Sequence, residues 1–80
     1  MARHQIKTQV QIEEEIRRRA QGAADAAEAG ITIPRPQIAA SAEPNMYGSH
    51  WIVAAIAEPG VRYVERAAVQ ISRIWDIRPS

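Results

Sequence analysis

The sequence predicts an α+β domain in which two helices pack on a small antiparallel sheet, in the order α-β-β-α. Three observations support this fold class. Apolar residues recur at helical spacing in the first third and near the end of the chain, two prolines interrupt its centre, and a short β-branched segment follows them. A chain of 80 residues forms one small domain, so residues 1–80 are predicted to fold as a single unit.

The first helix is predicted from about Gln9 to Ala29. Thr8 followed by Gln11 is a capping-box pattern, and Gly30 is a natural stop signal after the last apolar position. Residues 4–12 also alternate between apolar and polar side chains, which is typical of a strand. A short extra strand before the helix is therefore the alternative for this segment.

Three acids followed four residues later by three bases are the most distinctive local pattern. Glutamates occupy positions 13–15 and arginines occupy positions 17–19. This spacing predicts the helical ion pairs Glu13/Arg17, Glu14/Arg18 and Glu15/Arg19, each with the acid on the favourable N-terminal side. We expect the acids to lie in solvent near the positive end of the helix dipole.

The centre of the chain is predicted to be extended. Pro34 and Pro36 force their preceding residues out of helical geometry, so residues 31–36 form a stiff connector. Residues 37–42 are a candidate strand. Residues 43–49 contain Pro, Asn and Gly and are predicted to form a loop.

Residues 50–57 are the strongest strand candidate, and both faces of this strand are apolar. Trp51, Val53 and Ala55 alternate with Ile52, Ala54 and Ile56. Two helices can cover only one side of a small sheet, so the other side is predicted to bind a second chain, most simply in a twofold homodimer. The interface residues predicted on this basis are Trp51, Val53, Ala55, Tyr47 and Trp75.

A core role for both tryptophans is the other interpretation. The chain contains no Leu and no Phe, so few other side chains are large enough to fill a core. The two roles do not exclude each other, because tryptophan is also enriched at interaction hot spots.

The last helix is predicted from about Val61 to Asp76, after Pro59 and Gly60, with a strongly periodic apolar face. Arg62, Arg66 and Arg73 lie on its opposite face. They predict either a solvated surface or contact with a nucleic-acid backbone. The tail, residues 78–80, is expected to fray.

The sequence favours a non-enzymatic protein without metal or cofactor. There is no Cys, and His4 and His50 have no further ligands at metal-binding spacing. We expect His50 to be a strand-edge residue that makes one hydrogen bond. Ser41, Ser49 and Ser72 lack a nucleophile motif and are expected to be ordinary turn and helix-surface residues.

The charge balance and hydropathy exclude two classes of protein. The net charge of +1 argues against a mimic of DNA, which would be strongly acidic. No apolar run approaches the length of a membrane span, so a cytoplasmic location is expected.

Several landmarks together resemble small open reading frames of phages and prophages. They are the Pro34-Arg35-Pro36 connector, the strand that opens with Trp51, and the ending Ile74-Trp75-Asp76-Ile77. The Asn-Trp pair of those proteins is absent, because His50 precedes Trp51 and Asn45 lies six residues before it. The resemblance implies an accessory protein that acts by binding, for example against a host system. It transfers no catalytic residue.

Overall fold

The computed structural model describes residues 4–79, and it confirms the predicted α+β class. Two helices pack with two short strand pairs, and the extra N-terminal strand is present. The elements are β1 (Gln5–Lys7), α1 (Gln9–Ala27), β2 (Gln37–Ala40), β3 (Trp51–Ala55), α2 (Val61–Ser72) and β4 (Trp75–Ile77).

Helix α1 begins at the predicted residue. The hydroxyl of Thr8 accepts a hydrogen bond from the N–H of Gln11, and the Gln11 side chain accepts one from the N–H of Thr8. This reciprocal capping box satisfies two of the free N–H groups of the first turn. The helix ends at Ala27, two residues before the predicted end.

Only one of the three predicted ion pairs of α1 forms as expected. Glu15 binds Arg19, and it also binds Arg18 one residue closer. The hydrogen bond from Arg18 is the main reason that the pKa of Glu15 falls to about 2; burial opposes this shift and the hydrogen bond from Arg19 reinforces it. The predicted pairs Glu13/Arg17 and Glu14/Arg18 are wrong, because both acids turn towards Arg35 in the connector.

Glu13 is buried, which corrects the prediction of a solvated run of acids in the first helical turn. Only 4% of Glu13 is exposed, and it lies beyond the first turn of α1. Its Oε2 accepts hydrogen bonds from the N–H of Ile38, at 3.0 Å, and from Nε2 of Gln9, at 3.2 Å. The carboxylate therefore attaches α1 to β2.

The strands form two separate pairs rather than one sheet. Strands β2 and β3 are antiparallel, as predicted, with Ile38 opposite Val53 and Ala40 opposite Trp51. Strands β1 and β4 are parallel, with Ile6 opposite Asp76, a pairing that was not predicted from the sequence.

The predicted end of the last helix is wrong. Helix α2 stops at Ser72, and Trp75–Ile77 form β4 beside β1. The expectation that Arg78 frays is also wrong, because its N–H donates to the carbonyl of Lys7 at 2.8 Å. Ser80, which shared that expectation, lies outside the described residues.

The core lies between the two helices and the inner side of β2 and β3. Helix α1 contributes isoleucines and alanines at helical spacing, and α2 contributes the facing stripe. The largest fully buried apolar side chains are Trp51, Ile12, Ile16, Ile33, Ile71 and Val64.

Candidate binding surfaces

Asn45 organises the loop that leads into β3. Its Oδ1 accepts hydrogen bonds from the N–H groups of Tyr47 and Ser49, at 2.9 and 3.1 Å. Its Nδ2 donates to the carbonyl of Trp51 at 3.0 Å. An asparagine that binds its own loop in this way fixes the start of the following strand.

Ser49 and Ser72 are buried, which corrects their assignment to the surface. The Ser49 hydroxyl lies 2.5 Å from the carbonyl oxygen of Ser72 and 2.8 Å from that of Trp75. The indole N–H of Trp51 also donates to the Trp75 carbonyl, at 3.1 Å. These groups connect the start of β3 with the end of α2 and the start of β4, which is a structural role.

Asp76 joins the two strand pairs through its carboxylate. Its Oδ1 accepts the N–H of His50 at 2.7 Å and the N–H of Ile77 at 2.8 Å, and its Oδ2 lies 2.8 Å from Nδ1 of His50. His50 thus makes two hydrogen bonds to this carboxylate, whereas one hydrogen bond was predicted from the sequence.

The pKa of Asp76 is lowered. Burial acts to raise it, but the hydrogen bonds from the His50 backbone, the His50 ring and the Ile77 backbone outweigh burial. The carboxylate is therefore ionised at neutral pH and can only accept hydrogen bonds. It follows that Nδ1 of His50 carries a hydrogen, so Nε2 is an acceptor when the ring is neutral and a donor when it is protonated.

A groove of about 520 Å³ lies beside this junction, between the end of β2 and the β1/β4 pair. Its volume falls within the range of sites for small molecules. Its walls are mainly apolar, and its polar lining consists of Ser41, His50, Asp76 and Arg78. The apolar lining consists of Ile6, Ala40, Ala42, Ile77 and Pro79. We call this feature the His50 groove.

Helix α1 closes the outer edge of β2 at Ile38. The N–H of Ile38 donates to Glu13, and its carbonyl accepts a hydrogen bond from Nε2 of Gln9 at 2.9 Å. Both backbone groups that Ile38 turns away from β3 are thus satisfied within the chain. At Ile38 this edge is therefore not free to pair with another strand.

The outer edge of β3 is open at its centre. The N–H of Ser41 donates to the His50 carbonyl, so the alternation of an antiparallel pair turns the backbone groups of Trp51 and Val53 away from β2. Asn45 occupies the Trp51 carbonyl. Within residues 4–79, no strand and no side chain is hydrogen-bonded to the Val53 groups on this edge.

The predicted interface residues on β3 do not share one environment. Trp51 is 1% exposed and belongs to the core, as the alternative interpretation held, so its side chain is not available to a partner in this conformation. Val53 is half-buried against the core, and Ala55 is exposed. On the outer side of the strand, Ile52 is 51% exposed, and this residue was not among the predicted contacts.

The other two predicted interface aromatics are half-buried and lie under basic side chains. The Nζ atom of Lys7 lies 4.9 Å from the centre of the Trp75 ring. The guanidinium of Arg73 lies 5.2 Å from the centre of the Tyr47 ring. Both distances are within the range of cation–π contacts. Trp75 packs against the buried core cluster that includes Trp51.

The arginine face of α2 is divided. Arg62 binds Glu28 and the hydroxyl of Tyr63, so it is engaged within the chain. Arg66 and Arg73 line a shallow depression of about 510 Å³, and neither forms an ion pair with another of residues 4–79.

In the described part of the chain, no group of three or more His, Asp or Glu side chains is arranged to hold a metal ion. No helix of residues 4–79 combines the length and apolar character that a membrane span requires. The chain matches no protein-family model, no curated protein and no solved structure.

Proposed function

We propose that this protein is a non-enzymatic protein-binding module and that its first partner is a second copy of itself. The observation that carries the proposal is the open edge of β3 around Val53. Of the two outer edges of the antiparallel pair, α1 closes one at Ile38, and the centre of the other has no hydrogen-bonding partner in residues 4–79.

The composition of β3 supports pairing between two copies. Residues 50–57 contain no Asp, Glu, Lys, Arg or Pro, which are the residues that commonly protect an exposed edge. In an antiparallel β3–β3 pair centred on Val53, Ile52 of one copy lies opposite Ala54 of the other. No like charges face each other in this arrangement, so the edge is complementary to itself.

The apolar outer face of β3 would strengthen such a pair. Ile52 is half exposed in the single chain, and Ala39 lies opposite it on β2. Covering Ile52 in both copies would contribute roughly 2 kcal/mol in total. This corresponds to about thirtyfold in the dimer dissociation constant.

Substitution of Ile52 by Lys tests the dimer. We expect the wild-type protein to elute with twice its chain mass of 8.9 kDa when size exclusion is coupled to light scattering. Ile52→Lys should shift the equilibrium to monomer at the same concentration, because a desolvated lysine on this edge opposes pairing. Met46→Lys is the matched control, since Met46 is an exposed apolar residue in the loop before β3 and its substitution adds the same charge.

Two results would contradict the dimer. One is a wild-type mass equal to a single chain at tens of micromolar. The other is an equal effect of Met46→Lys and Ile52→Lys. Amide hydrogen exchange gives a separate check, because the Val53 amide should be protected in the wild type and should exchange faster in Ile52→Lys.

The proposal extends to the biological role that the phage resemblance implies. We propose a phage-type accessory protein that is located in the cytoplasm and acts against a host system by binding one of its proteins. The Ile52→Lys variant separates the two binding events. A host protein that binds only the dimer should no longer be retained by this variant, whereas one that binds a surface away from β3 should be retained as it is by the wild type.

Nucleic-acid binding through α2 is the second proposal. It is favoured by Arg66 and Arg73, which share one depression and have no ion-pair partner in the described residues. With two phosphate contacts, the logarithm of the binding constant should fall with the logarithm of salt concentration with a slope of about −2. The double substitution Arg66→Glu and Arg73→Glu should abolish retention on DNA. If the wild-type protein is not retained on DNA at low salt, nucleic-acid binding through α2 is excluded.

A further inference from the structure

We propose that the His50 groove binds a small amphipathic carboxylate, with its apolar body on the groove walls and its carboxylate on Arg78. The site is separate from the open β3 edge and does not depend on self-association. Three features of the groove support this class of ligand.

The first feature is the apolar surface. Ile6 is 52% exposed although it is the central residue of β1, and Ala40, Ala42, Ile77 and Pro79 continue the same lining. The exposed portion of Ile6 has no apolar cover in the described chain. A hydrocarbon chain or ring of the ligand would remove this surface from water.

The second feature is the distribution of charge. The carboxylate of Asp76 is already engaged within the chain, because its two oxygens accept three hydrogen bonds, all from His50 and Ile77. Arg78 lines the same groove and forms no ion pair with another of residues 4–79. Arg78 is therefore a charged residue of the lining without an ion-pair partner among residues 4–79, and an anionic ligand group would supply one.

The third feature is the orientation of the His50 ring. Asp76 binds the Nδ1 hydrogen, so the ring is held with Nε2 as its remaining polar atom. A protonated His50 can donate from Nε2 to a carboxylate, and a neutral His50 can accept from a carboxylic acid. Both forms are compatible with a ligand acid group next to Arg78.

The test is a titration of the full chain with decanoate, followed by amide shifts in two-dimensional NMR. We expect saturable shifts at Ala40–Ala42 and Asp76–Arg78. Decan-1-ol is the uncharged control ligand, and it should bind at least about tenfold more weakly because it lacks the charge-assisted contact.

Matched arginine variants locate the carboxylate. Arg78→Gln should weaken decanoate binding about tenfold or more, whereas Arg66→Gln, on the surface of α2, should leave it unchanged. Because the Arg78 backbone N–H pairs with β1, the amide spectrum of Arg78→Gln first establishes that the fold is retained. Ile6→Ser should weaken both decanoate and decan-1-ol through the loss of apolar wall.

Several results would overturn the proposal. They are the absence of shifts at millimolar decanoate, shifts centred on Ile52 instead of the groove, equal binding of decanoate and decan-1-ol, and unchanged binding by Arg78→Gln. If an apolar peptide with a free C-terminal carboxylate binds more tightly than decanoate, the ligand of the groove is a protein C-terminus and not a small molecule. None of these results bears on the mass measurement that tests the dimer.

Discussion

At the scale of single residues, Glu13 shows how one carboxylate can decide where a strand lies. It belongs to a run of three acids with similar sequence surroundings, yet it is buried while Glu14 remains half exposed. The difference comes from the facing backbone: the N–H of Ile38 requires an acceptor, and Glu13 supplies it. A buried N–H without an acceptor is costly, so the carboxylate is part of the fold rather than of its surface.

Removal of the Glu13 side chain should therefore be more damaging than removal of its neighbour. Glu13→Ala leaves the Ile38 N–H without its acceptor and should lower the free energy of unfolding by about 2–3 kcal/mol. Glu14→Ala, which loses only an exposed pair with Arg35, should change it by less than about 0.5 kcal/mol. Urea denaturation measures both. Equal effects of the two substitutions would show that the Glu13 contact is not needed for stability.

At the scale of elements, the glycine that precedes α2 and the glycine inside α1 have opposite roles. Gly60 precedes α2 with a φ of +93°, and a Cβ atom at this position would overlap Cδ1 of the core residue Ile33. Gly22 lies inside α1, and a Cβ atom there would meet no other atom within 4 Å. The start of α2 thus requires a glycine, and the middle of α1 does not.

The same substitution at these two positions should have opposite signs. Gly60→Ala should destabilise the protein by about 2 kcal/mol or more, because left-handed backbone and overlap with the core act together. Gly22→Ala should stabilise it by up to about 1 kcal/mol through higher helix propensity. Thermal unfolding of both variants provides the comparison. A stabilising Gly60→Ala would mean that the start of α2 can adopt another backbone conformation.

At the scale of the whole molecule, side chains hold the two strand pairs together. No backbone ladder connects β3 with β4 in the described chain, and the connection consists of Asp76, the Trp51 indole and the buried Ser49 hydroxyl. Its strength therefore depends on the ionisation of Asp76.

Stability should fall in acid in a way that depends on Asp76. The folded-state pKa of Asp76 is lowered, so its contribution is fully present above the usual aspartate pKa of about 3.9 and is lost as the pH falls through the folded value. Asp76→Asn should weaken the decline in unfolding free energy below pH 4, measured by urea denaturation from pH 7 to pH 3. Asp25→Asn, an exposed carboxylate on α1, should leave the decline as in wild type. An unchanged profile in Asp76→Asn would contradict this role.

The predictable part of the fold depended on local signals. The capping box of Thr8 and Gln11, the helical spacing of the core isoleucines and the β-branched run after His50 each specify structure within a few residues. The parallel pairing of β1 with β4 joins residues about 70 positions apart. No local pattern specifies it, and the helical periodicity of α2 concealed the strand Trp75–Ile77.

The candidate sites were less predictable than the fold. The apolar residues of both faces of β3 predicted excess apolar surface on this strand, but the predicted contact was Trp51 rather than Ile52. Alternation shows that two faces differ without showing which one meets the helices. The His50 groove was missed because Arg78 was expected to fray and Asp76 was assigned to a helix. The aromatic-Asp-aliphatic ending was the available signal, since alternation at a chain end is also typical of an edge strand.

The sequence by itself determined two helices bounded by capping, glycine or proline residues, an extended centre and an uncharged strand. Each of these depends on interactions between residues that are close together in the sequence. Tertiary structure alone decided which carboxylates are buried, which strand edge stays open at its centre and how β1 and β4 pair. Those outcomes depend on backbone groups and side chains that meet only after the chain has folded back on itself.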